Sequence, residues 1–166
     1  MAGKTSFTPE EWTHLLRGAM QAGMAVAAAE PSGLWGLFKE SLAASNALTE
    51  ARADAGANGL VRAVAADLAT AESQEVSHDA FLADLAGGKA VGIKAKAVTE
   101  LRQVAALLEA KAPEDAPAFK AWLRQTAERA AEASSEGGFL GFGGVRVSDA
   151  EKATLAEISE ALAIPA

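Results

Sequence analysis

The chain has no cysteine and no tyrosine, and it carries only three Trp and six Phe in 166 residues. Without cysteine there is no disulfide framework, no thiol nucleophile and no zinc–thiolate centre. With so few rings, each aromatic side chain is a major fraction of the large apolar volume that a core can use. Positive charge is also short. The net charge of −7 leaves no basic face to neutralise phosphates, which excludes nucleic acid as a partner. Lys89, Lys94 and Lys96 come nearest to a basic cluster, and a solvated helix end accounts for them. No stretch reaches the run of about 18 apolar residues that a membrane span needs. The uncharged run 18–29 has the length of a signal h-region, but it follows Glu10 and Glu11 instead of a basic segment. It reads as a buried helix, and the chain reads as cytoplasmic, with a membrane disfavoured as a partner. Period-two alternation is missing as well: Val145-Arg146-Val147 is too short to found a sheet.

What the chain has in abundance is alanine, roughly a quarter of all residues and far above an ordinary share. Alanine has the highest helix propensity and a side chain small enough for helices to approach closely. The pattern predicts an all-α, single-domain bundle of about seven helices with no sheet, spanning residues 1–166 after a flexible tail at 1–7. Thr8, Pro9 and Glu11 open the first helix as N-cap, first helical residue and capping-box partner. Trp12, Leu15, Leu16, Ala19, Gly23 and Val26 follow one stripe of it, and Gly18, Ala22 and Ala25 leave room on its other sides. Further helices are expected at 34–51, at 60–68, over a short piece after Ser77, at 90–111, from Phe119 after the turn framed by Pro113 and Pro117 to about Ser134, and at 149–162. The helix at 90–111 has the widest apolar arc, which suits a central element. Phe119, Trp122, Leu123, Thr126 and Ala130 mark the buried face of the next one.

The most unusual stretch is EGGFLGFGGVRVSDAE, from 136 to 151. Phe139, Leu140 and Phe142 stand among five glycines, where polar turn residues are the rule. These rings need cover, from the chain's own helices near Phe119 and Trp122, from a partner, or from a bilayer. Ser148 and Glu151 then form a capping box, and Leu155, Ile158 and Leu162 give the last helix one apolar face. The loop is not a phosphate cradle: no Gly-Lys-Ser/Thr follows, and Arg146 stands where a third glycine belongs. Arg146 beside a helix start could hold a small anion, but Asp149 and Glu151 occupy that field.

Both histidines follow a glutamate by three residues, as Glu11/His14 and Glu75/His78. This is the Glu-x-x-His spacing by which ferritin-like bundles set two metal ligands on one helix face. However, Glu75 precedes the expected cap at Ser77, the first pair lies in an opening turn, and no further inward glutamate completes a ligand set. No cofactor is therefore expected, and the four residues stand as candidates only. No nucleophile stands beside an activating base, so the pattern favours a non-catalytic protein.

The 136–151 run resembles the C-terminal motif of a group of small bacterial helical proteins of unknown role. The resemblance extends to Trp122-Leu123 and to the alanine-rich end of the first helix. It implies a bacterial, cytoplasmic helical protein and no particular activity. A weaker likeness is to tellurite-resistance B-like helical domains, in which Asp-Gly precedes Val-Ser-x-x-Glu. Here Gly143 and Gly144 replace the acidic position, so no metal ligand carries over. The function expected is a helical interaction protein that binds itself or another protein through small-residue faces and the Gly-Phe loop. The alternatives are a ferritin-like metal protein and a module binding a small apolar ligand.

Overall fold

The computed structural model describes residues 2–29, 58–70, 90–135 and 147–165. Helix is the only regular structure among them. A single 3₁₀ turn at Lys4–Ser6 precedes α1 (Pro9–Ala27), α2 (Gly59–Leu68), α3 (Ala90–Lys111), α4 (Ala116–Ser135) and α5 (Asp149–Ala161). The all-α expectation holds. The count of about seven is not reached: five α-helices are described, and those expected at 34–51 and after Ser77 lie outside the described residues. None of the described helices is long and apolar enough to cross a membrane.

Local chemistry sets where α1 begins. Thr8 Oγ1 accepts the Glu11 amide at 3.3 Å, and Glu11 Oε2 accepts the Thr8 amide at 2.8 Å. Pro9 fills the first helical position, where a missing N–H costs nothing. From there α1 buries Trp12, Leu15, Gly18, Ala19, Ala22, Gly23, Ala25 and Val26, which spread over more than one face. Two neighbours exploit this. A Cβ added at Gly18 would meet Val104 Cγ2 of α3 at 2.9 Å, and one added at Gly23 would lie 3.9 Å from Ala130 Cβ of α4. α1 thus runs between α3 and α4, with α2 and α5 against it as well.

The centre is therefore α1, whereas the wide apolar arc had pointed to the helix at 90–111. The reason is steric. α3 buries Ala97, Val98, Leu101, Val104, Ala105 and Leu108 but turns Thr99, Arg102, Gln103 and Glu109 to solvent. An alanine and glycine helix can be approached from several directions, and a leucine-rich one packs on the side its large side chains define. α2 and α4 follow their patterns closely. α2 buries Leu60, Val61, Val64, Ala65 and Leu68, and α4 buries Phe119, Trp122, Leu123, Thr126, Ala127, Ala130 and Ala131. Phe119 and Trp122 meet edge-to-face with centroids 5.2 Å apart.

Within the stretch expected as a flexible tail at 1–7, residues 2–7 lie against the bundle. Phe7 is buried, its ring centroid 6.0 Å from that of Trp12, and Ala2 packs against the same core. One buried ring and a few long-range polar bonds hold this short segment, and neither is visible in six residues of local sequence.

The last helix starts at the expected capping box, with Ser148 accepting the Glu151 amide at 3.2 Å and Glu151 accepting the Ser148 amide at 2.7 Å. Its buried face is rotated from the apolar stripe. Ile158 and Leu162 are fully covered, but Leu155 is only half-buried, while Glu151, Thr154 and Ser159 are inside. At its other end the Ile164 amide reaches Ser159 O and the Ala163 amide reaches Glu160 O, both at 3.0 Å. This is a Schellman closure, which needs a left-handed residue, and Ala163 takes that conformation with φ 53°. An alanine there bears a Cβ clash that glycine lacks. Ala163→Gly is therefore expected to raise stability by about 1 kcal/mol. Urea denaturation checks this, and a lowered midpoint would show that the strain is absent in solution.

Candidate functional site

Phe139, Leu140, Phe142 and Arg146 lie outside the described residues, as do Glu75 and His78. What is described is how the two flanks of residues 136–146 are held. α4 runs to Ser135 with Ala130 and Ala131 buried. On the far side Val147 packs against the core, and Ser148 and the fully buried Glu151 fix the start of α5.

Glu11 and His14 both turn toward α3, but to different partners. Glu11 takes Lys111 Nζ at 2.8 Å in addition to capping α1. The Lys111 ammonium, and then the Thr8 amide, hold its carboxyl below the usual carboxylate range. His14 Nδ1 meets Glu100 Oε1 at 2.5 Å, with the imidazole partly open to solvent. Each is thus engaged in a separate interhelical pair, at positions 111 and 100 of α3. Among the described residues no three His, Cys, Asp or Glu come together. The His14–Glu100 pair orients the ring through Nδ1.

The best-built polar assembly involves residues that sequence reasoning passed over. Asp115, at the start of α4, is buried to 3% exposure. Its Oδ2 accepts the Ala2 amide at 2.6 Å and its Oδ1 accepts Asn58 Nδ2 at 2.7 Å. Asn58 also caps α2, its Oδ1 accepting the Leu60 amide at 2.9 Å. One side chain thus ties three segments together. Asp67 near the end of α2 does similar work, with Oδ2 accepting from Lys4 Nζ at 2.8 Å and from Trp12 Nε1 at 2.7 Å. Lys4 Nζ also lies 5.7 Å from the centre of the Trp12 ring. Donors favour the charged carboxylates in both cases: the Ala2 amide then Asn58 lower the Asp115 pKa, and Lys4 then Trp12 lower that of Asp67. Sequence offers no signal for either residue, since their partners stand 55 to 113 positions away.

A second polar seam joins α4 to α5. Arg124 Nη1 donates to Ser159 Oγ at 2.5 Å, and its Nη2 pairs with Glu128 at 2.9 Å within α4. Lys120 is buried with its ammonium 2.6 Å from Glu109 of α3, and Lys94 reaches Glu157 at 2.8 Å. Among the described residues Trp122 Nε1 and Arg124 Nε are covered without a hydrogen-bond partner. These contacts orient helices against one another, and none brings a nucleophile to a base.

Against protein-family models, curated proteins and solved structures, the chain has no match.

Proposed function

We propose that this chain is a non-catalytic helical interaction protein that self-associates through the segment Phe139-Leu140-Gly141-Phe142. The observation that carries the reading is the anchoring of both flanks. α4 before the segment and the capped, core-packed start of α5 after it leave a short glycine-rich span carrying three large apolar side chains. Held ends shorten the span that has to be ordered when its apolar side chains dock, which favours association. The described frame also supplies its own aromatic pairs, Phe7 with Trp12 and Phe119 with Trp122. Arg146 follows the tip in sequence and would sit at the polar rim of such a contact. The acidic net charge fits a protein partner and not nucleic acid.

Native mass measurement together with urea unfolding tests this on the wild type and on the double variant Phe139→Ser/Phe142→Ser. The expected result is a wild-type oligomer and a monomeric variant whose stability stays within about 0.5 kcal/mol. A monomeric wild type overturns the proposal. So does a variant that loses about 3–5 kcal/mol, the cost of emptying a packed core position.

A further inference from the structure

We propose that residues 2–7 form a latch that opens independently of the helical bundle and uncovers Trp12 and the Asp67 and Asp115 carboxylates. The latch has few holding points. Lys4, Thr5 and Ser6 are exposed, and the 3₁₀ turn they form is too short to persist alone. Its only deeply buried side chain is Phe7, against Trp12. Beyond that ring, Ala2 rests on the core, Lys4 Nζ lies over Trp12, and two long-range hydrogen bonds among the described residues run from the Ala2 amide to Asp115 and from Lys4 to Asp67.

Both receiving carboxylates belong to the body and have body partners of their own, Asn58 for Asp115 and Trp12 Nε1 for Asp67. They can therefore release the segment without becoming buried orphans, and opening brings water to the side the segment leaves. The bundle contacts of α1 with α3 and α4 lie elsewhere and do not pass through residues 2–7. Pro9 supports the hinge. Its ring fixes the backbone at the first position of α1, and the Thr8–Glu11 capping box spans it, tying the residue directly after Phe7 to the helix. α1 thus keeps its start when the segment ahead of it leaves. The depressed pKa values of Asp67 and Asp115 are consistent with charge holding the segment down.

Native-state hydrogen exchange on the full chain tests the latch, read at the Ser6 and Phe7 amides, which bond to Gly3 O and Lys4 O. Amides in the middle of α3 and α4 serve as the reference. A latch predicts exchange at Ser6 and Phe7 that is at least about a hundredfold faster than at the reference amides and almost independent of low urea, as for local opening. In Asp67→Asn the Lys4 bond loses its charge assistance, and these two amides are expected to exchange about tenfold faster. Asp115→Asn is the second variant, with the same expectation at the Ala2 end. Exchange at Ser6 and Phe7 that follows the urea dependence of α3 and α4 overturns the proposal, because the segment then opens only with the whole fold. Exchange unchanged in both variants overturns it too, because the carboxylates then do not hold the segment.

Discussion

Phe119→Ala is expected to lower the free energy of unfolding by about 3–5 kcal/mol. Phe119 is fully buried in the first turns of α4 and packs edge-to-face on Trp122. Around it the core is mostly alanine, leucine and valine, so few neighbouring side chains are long enough to collapse into the space left. Where the surroundings cannot relax, the cavity term adds in full to the lost transfer energy. A loss of this size is a large share of the 5–15 kcal/mol typical of a domain. Urea denaturation followed by tryptophan fluorescence measures it, with Trp122 reporting from the site itself. A loss under about 1 kcal/mol would mean that the α4 face is not packed as described.

Gly18→Val should cost about 2–3 kcal/mol, although it replaces the weaker helix former. On an exposed helix the same change would be favourable by a few tenths of a kcal/mol. Here the first added carbon already meets Val104 Cγ2 at 2.9 Å, and valine adds two methyls beyond it. Val104 cannot swing aside, because a β-branched side chain in a helix has essentially one χ1 rotamer. The helices must then part, and the small-residue contact between α1 and α3 opens along its length. Val104→Ala in the same chain removes the obstacle and should recover most of the loss. A double-mutant cycle by urea unfolding gives the coupling directly. Additive effects of the two substitutions would show that the two positions do not touch.

The histidine pattern shows how sequence spacing can mislead about a site. Glu11 and His14 are three residues apart and share the opening turns of α1, as the spacing suggests. Spacing cannot show where each side chain is drawn. A capping duty and Lys111 take Glu11, and Glu100 takes His14. The partners come from a helix some ninety residues away, and they decide the geometry. The Asp115 and Asp67 assemblies make the converse point. Neither aspartate belongs to any motif, yet each joins separate segments through two hydrogen bonds of 2.6 to 2.8 Å.

By itself the sequence determined the helical class, the capping boxes at Thr8 and Ser148, the start and end of the helix at 90–111, and the apolar faces of α2 and α4. Each of these is local. Capping joins residues three apart, helix ends follow proline and glycine, and a buried face repeats within two turns. Only the tertiary structure decided that α1 lies at the centre, that Phe7 and Ala2 are packed down, and that Glu151, Thr154 and Ser159 point inward on α5. Those outcomes depend on the whole set of helices. A helix of small residues has no strongly preferred side, so its neighbours choose which faces they cover. A polar side chain goes inside where hydrogen bonds offset its desolvation, here the Ser148 amide for Glu151, Ala150 O for Thr154, and Leu155 O with Arg124 of α4 for Ser159.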